Sequence, residues 1–375
     1  MRGNMEKKSS WLERYLLPGL AFKAVVIGGG YATGRELATF FMPSGPVGGL
    51  YGMVLAMVIW SVVAVVTFTL AFATNSHDYR TFFRRLLGPF WRVFEICYFL
   101  AIILILAVFA AAAGAIGHAA FGWPELYGTL ILMTGIALVT ASGNSAVERL
   151  FKYVSFFLYL TYAAFVYLSL SHSGDKTAAA LLAHTPTTGW FMGGVTYAGY
   201  NIIGAVIILP TIRHLTSRKD AVVAGLLAGP LAMIPAILFF ICMIAYYPTI
   251  NNEPLPSDFM LMKLGLPAFR MVFQAMIFAA LLESATGGVH AINERIAHAY
   301  RGKSDRVLTK TARLVIALAV MIVAVFVATR FGLIELIAKG YTWIAYVFLA
   351  IYILPLMTYG VWLLLRGKPL KQEID

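Results

Sequence analysis

Charge is scarce in this chain: 12% of its 375 residues are charged and 60% are hydrophobic. A soluble domain cannot carry that balance, because it needs a charged surface to stay in water. Cysteine is scarcer still. Cys97 and Cys242 each sit inside an apolar run, which argues against a disulfide framework and a thiolate metal site. The seven histidines show no H-E-x-x-H spacing, and His118, His172 and His184 are predicted to lie in loops. No nucleophile–base pair stands out, so the chain does not read as an enzyme.

What the sequence has is long hydrophobic runs, with a mean hydropathy of +0.80. Each of about 20 residues is long enough to cross a bilayer as a helix. Ten spans are predicted, near 16–42, 46–73, 91–117, 124–141, 149–171, 189–212, 220–247, 267–298, 310–329 and 341–365. The fold class is therefore an all-α polytopic membrane protein, a single transmembrane domain over 1–375. The charged stretch before span 1 lacks a nearby cleavage site and reads as part of an uncleaved signal-anchor. Residues 74–90, with Arg80, Arg84, Arg85 and three phenylalanines, predict an interfacial amphipathic helix. The proline-rich stretch 247–267 predicts an ordered loop outside the bilayer.

Basic residues set the topology. With the N-terminus in the cytoplasm, 22 of the 29 Lys and Arg fall in cytoplasmic tails and loops, and five fall outside. That bias predicts both termini in the cytoplasm. It also accounts for the net charge of +12 without a nucleic-acid partner; membrane lipid is the partner of that charge.

Span 1 contains Val25-Val26-Ile27-Gly28-Gly29-Gly30-Tyr31-Ala32-Thr33-Gly34-Arg35-Glu36. Each glycine costs a helix interior about 1 kcal/mol relative to alanine. Helix breaks at membrane depth persist where the freed backbone lines a cavity or is buried in protein. The run therefore predicts a discontinuous helix forming half of a solute or ion site; close packing of small residues is the other reading. Span 6 repeats the ingredients in Gly193-Gly194-Val195-Thr196-Tyr197-Ala198-Gly199-Tyr200-Asn201-Ile202-Ile203-Gly204. Spans 1 and 6 are five apart, an odd number, so two five-span repeats (about 16–171 and 189–365) enter the membrane from opposite sides. Interrupted segments at matching places in two halves point to a transporter's central site. The candidate substrate-binding residues are Gly28, Gly29, Gly30, Tyr31, Thr33, Tyr197, Gly199, Tyr200, Asn201 and Gly204. A break near Gly28–Gly30 would turn carbonyls toward a cation. The N–H groups of Tyr31–Thr33, Ile203 and Gly204 would face an anion. A zwitterion or a neutral polar solute fits such a pocket.

Five-plus-five spans with broken first and sixth helices resemble the LeuT fold of the amino acid–polyamine–organocation superfamily. The run Gly28–Glu36 is similar to the start of the YkvI-like membrane proteins. The resemblance implies an ion-coupled symporter of a small solute such as an amino acid or amine, in a bacterial inner membrane. Spans 1, 2, 6 and 7 would rock against the rest. A sensing or channel-like subunit on the same fold is the rival.

Glu283, Thr286, Gly287, His290 and Glu294 share one face of span 8, and an acid at that depth is costly and usually functional. The resemblance makes Ser284 and Thr286 candidate sodium ligands, while Glu283 suggests a proton instead; no other cofactor is expected. It also implies an outer gate between Arg35 and Glu335, although Glu36 could satisfy Arg35 locally. Lys23 is expected to snorkel to the surface, and Gly114 and Gly117 to pack helices.

Overall fold

The computed structural model describes residues 10–366 except 27, 28, 143 and 305–308. Side chains are placed for these apart from 29, 30, 141–152, 155, 298, 299, 301–304 and 310. The elements among them are helical. In chain order they are α1 (Leu17–Val26), α2 (Gly29–Ala32), α3 (Arg35–Phe40), α4 (Gly45–Ala73), α5 (Tyr79–Leu87) and α6 (Trp91–Phe121). Then come α7 (Glu125–Ser142), α8 (Asn144–Leu182), α9 (Trp190–Asn201), α10 (Gly204–Ile207) and α11 (Arg218–Ile244). The chain closes with α12 (Pro256–Leu264), α13 (Pro267–Ser304), α14 (Lys310–Glu335), α15 (Thr342–Phe348) and α16 (Val361–Leu365). Apart from α5 and α12, these helices overlap the ten predicted segments. Five stretches are long and apolar enough to cross a membrane by themselves: Met42–Ala73, Tyr79–Phe121, Arg218–Ile244, Pro267–Ala297 and Thr311–Leu365.

Small residues let the helices approach closely. Added Cβ atoms at Gly225 and Gly229 of α11 would lie 2.5 Å from the Val65 backbone and 2.3 Å from the Met57 carbonyl of α4. A Cβ at Gly193 of α9 would meet the Phe40 carbonyl at 2.1 Å. With little hydrophobic drive between helices in lipid, such backbone approach supplies the packing. The predicted packing role of Gly114 and Gly117 agrees with this: each abuts α7, at Glu125 and Gly128 respectively.

The two broken spans differ in form. Span 6 pauses for one turn at Ile202–Ile203 between α9 and α10, and the α-helical ladder resumes with Ile207 N–H donating to Ile203 O at 3.1 Å. In span 1, Ile27 and Gly28 lie outside the described residues; among the described ones Gly29 and Gly30 are helical in α2, and the helix is interrupted at Thr33–Gly34, with Gly34 at φ 79°. The N–H groups that start α3 begin at Arg35, whose own N–H is capped by Thr33 Oγ1 at 3.2 Å.

Elsewhere a helix forms within 74–90 as expected, α5, with Phe82 and Phe83 buried and Phe83 packed on Phe94 and Tyr352; Asp78 caps it by accepting from Thr81 N–H at 3.0 Å. The stretch 247–267 is more helical than expected, holding the 3₁₀ turn Thr249–Asn252 and α12. His118 and His172 lie on helices rather than in loops. Span 9 ends at Gly332, a non-helical residue at φ 72° inside α14. Span 10 then contains three π-helical turns, Leu336–Tyr341, Leu349–Ile353 and Leu356–Gly360.

Candidate functional site

A cavity of about 470 Å³ opens beside the two breaks. Its walls come from α1 (Ala24–Val26), α6, α8, the span 6 break, α13 and Tyr341 of span 10. It runs from Glu36, Tyr200 and Tyr341 toward the halves of α1 and α13 that hold Ala24 and Ala291. Beyond Glu36 the far side is packed. Phe40 lies 5.6 Å from Tyr200, Tyr200 4.5 Å from Tyr341, and Phe41 4.7 Å from Tyr197, ring centre to ring centre.

The predicted residues divide. Tyr200 and Asn201 line the cavity, as do Glu283 and Ser284. Tyr31 is buried and shares a hydrogen bond with Tyr162 at 3.1 Å, beside a second, apolar cavity between α8 and α11. Thr33 holds the turn, its carbonyl accepting from Ser257 N–H at 3.0 Å. Gly199 and Gly204 serve close contacts: a Cβ at Gly199 would meet Ala345 at 3.1 Å, and one at Gly204 would meet the Phe22 ring at 2.9 Å. Tyr197 is buried, and its hydroxyl has no hydrogen-bond partner. Gly29 and Gly30 begin α2, while Gly28 lies outside the described residues.

The polar face of α13 splits as well. Glu283, Gly287 and His290 face the cavity. Thr286 is fully buried, with no partner for its Oγ1 among the described residues, on a helix that packs against α2. Glu294 leaves the stripe: it is exposed and paired with Arg313. Lys23 is half-buried, with its ammonium 4.1 Å from the Tyr159 ring centre, so the stem does not simply reach for the surface.

Arg35 and Glu335 are not joined. Arg35 donates to the carbonyls of Asn251 and Glu253, both at 2.8 Å, and to Thr39 Oγ1 at 3.1 Å. Glu335 instead takes Lys339 at 2.7 Å on an exposed turn. Nor does Glu36 satisfy Arg35. Its carboxylate accepts from the Tyr200 hydroxyl at 2.5 Å, and it is 5% exposed. Sequence reasoning missed Glu36, Tyr98, Tyr159 and Tyr341 as cavity residues. A signal existed for the first: neighbours i and i+1 on a helix do not face one another, so Arg35 and Glu36 had to point apart.

No family model matches the chain. It is 21% identical to the uncharacterised membrane protein YkvI of Bacillus subtilis over 335 residues, covering 88% of this chain and 92% of that one. Among solved structures, a mutant of the Eremococcus coleocola manganese transporter is similar with a TM-score of 0.61 and 16% identity, covering 95% of this chain and 80% of that one. Mhp1 in an inward-facing conformation is similar at a TM-score of 0.56 and 16% identity, with 95% and 77% covered. The chain is a multi-pass membrane protein with the LeuT fold, and it resembles YkvI.

Proposed function

We propose that the protein is a secondary active transporter of a small polar or zwitterionic solute, an amino acid or amine, working by alternating access around the breaks in spans 1 and 6. The observation that carries this reading is the cavity itself: Val26 and Glu36 from the two sides of the span 1 glycine run and Asn201 and Ile203 at the span 6 break line it, and an aromatic stack packs beside Glu36. With both termini in the cytoplasm of a bacterial cell, the end of the cavity at Ala24 and Ala291 is the inner one.

Manganese is named for the similar Eremococcus protein, but an organic solute suits this cavity better. Among the described residues no group of three or more His, Cys, Asp or Glu converges. The walls near Glu36 are mostly aliphatic and aromatic. For the coupling ion, the Thr286 hydroxyl, buried on a helix that packs against α2 and without a partner among the described residues, supports a sodium site with Ser284, since a buried polar atom calls for a ligand. Glu283, at the cavity wall, is the proton alternative.

Purified protein in proteoliposomes, offered labelled amines and amino acids under an imposed sodium or proton gradient, tests the reading. Accumulation driven by sodium and lost on joint Ser284→Ala and Thr286→Ala substitution supports sodium coupling. Accumulation driven by protons and lost in Glu283→Gln assigns that acid. Equilibration indifferent to both gradients indicates a sensor or channel and overturns the proposal.

A further inference from the structure

The charge of the cavity wall narrows the solute. Two acids, Glu36 and Glu283, line it, together with His290, and among the described lining residues there is no lysine or arginine. Two cations lie behind aromatic wall residues and are taken up there: Lys23 on the Tyr159 ring, and Arg295 against the Tyr98 and Tyr79 rings. Glu283 has contacts of its own. Glu36 stands differently: it is 5% exposed, and its one hydrogen bond among the described residues is from the neutral Tyr200 hydroxyl to Oε2. The adjacent guanidinium of Arg35 turns to loop carbonyls instead. A carboxylate shut away from water and left without a cation is costly, and this one forms the blind end of a solute-sized cavity.

The surroundings fit a cation that also carries an apolar body. Tyr200 and Tyr341 flank Glu36, and the Tyr98, Tyr159 and Phe109 rings lie along the walls. Aromatic faces attract ammonium groups, and Ile102, Leu106 and Ile203 offer aliphatic surface. A solute carboxylate would find no such welcome. It would lie among like charges, and α10 spans four residues, too few to concentrate positive potential at its start. We infer that Glu36 is the receptor for the ammonium group of an organic amine lacking a carboxylate, and that such amines, rather than amino acids, are the solutes. This rests on the transporter reading above and narrows it.

The test uses the full chain in detergent and three matched probes: 2-phenylethylamine, phenylalanine and 2-phenylethanol. Binding is read by calorimetry and by thermal stabilisation. The amine should bind at least tenfold more tightly than either the amino acid or the alcohol, and Glu36→Gln should weaken amine binding at least tenfold without changing that of the alcohol. If the Gln variant fails to fold, the ranking of the three probes on the unaltered protein decides. Phenylalanine binding as tightly as the amine, no binding of the amine at millimolar concentration, or full amine binding in a folded Glu36→Gln protein would each overturn the inference. Amine binding without gradient-driven uptake in proteoliposomes would leave the inference standing and remove the transporter reading instead.

Discussion

Glu36 and Arg35 are neighbours in sequence with opposite assignments, one to the cavity and one to the outer loop. The hydroxyl of Tyr200 is what holds Glu36 in place. A hydrogen bond to a charged group contributes roughly 1.5–3 kcal/mol, so Tyr200→Phe is expected to lower stability by about that much, measurable as a drop in detergent-solubilised thermal unfolding. Gly34 is a second sensitive position. Its φ of 79° is strained for any L residue, and an added Cβ would lie 2.7 Å from the Phe239 ring. Gly34→Ala is expected to cost about 1–3 kcal/mol in the same measurement; an unchanged melting temperature would show that the turn relaxes freely. At this scale the sequence disclosed residue types better than their duties. Tyr200 and Asn201 were legible as cavity-lining residues because glycine and polar side chains cluster at membrane depth. Gly199 and Gly204 carry the same signature but are spent on packing, a distinction that depends on which helix lies opposite.

Elements were legible where hydrophobic length decides and obscure where geometry does. The ten segments follow from runs of apolar residues, yet α8 continues through Leu182, well past the predicted end at 171, because nothing in a polar helical tail marks the membrane surface. The π-helical turns of span 10 left no trace in composition. One of them, Leu336–Tyr341, delivers Tyr341 to the cavity. Such turns hold one residue more than the α-helix around them and recur at functional sites. Tyr341→Leu should leave the turn in place and remove the ring that it delivers. The expected result is a folded protein that binds 2-phenylethylamine at least tenfold more weakly, checked by calorimetry; unaltered binding would show that Tyr341 plays no part there.

For the molecule as a whole, the proposed alternating access makes a cavity beside Ala291 with an aromatic stack packed by Glu36 one state of a cycle. A cysteine replacing Ala291, in a background where Cys97 and Cys242 are serine, should on that reading react with a membrane-impermeant maleimide from the cytoplasmic side. Reactivity should fall when the protein is shifted to its opposite state. Arg35→Ala is expected to favour that shift, since it removes two bonds that tie α3 to the outer loop, and to reduce Ala291→Cys labelling several-fold. Labelling equal to that of the unaltered Arg35 would place the closure elsewhere, in the Phe40–Tyr200–Tyr341 stack.

The segment Thr249–Leu264 is fastened unequally along its two edges. Toward α13, Asp258 receives both nitrogens of the Arg270 fork at 2.6 and 2.7 Å, with Gln274 adding a third donor, and Arg270 also reaches the Ala119 carbonyl of α6 at 2.9 Å. Toward α3 the ties run to neutral carbonyls: Arg35 on Asn251 and Glu253, and Ser257 N–H on Thr33. Paired ionic forks outlast bonds to neutral acceptors. The segment therefore behaves as a cover hinged on α6 and α13 and latched on α3. Under the proposed alternating access it should stay with α6 and α13 and let go of the half-helix that carries Glu36. A single latch residue, Arg35, then sits one position from the proposed amine receptor, so that unlatching the cover and moving Glu36 become the same event.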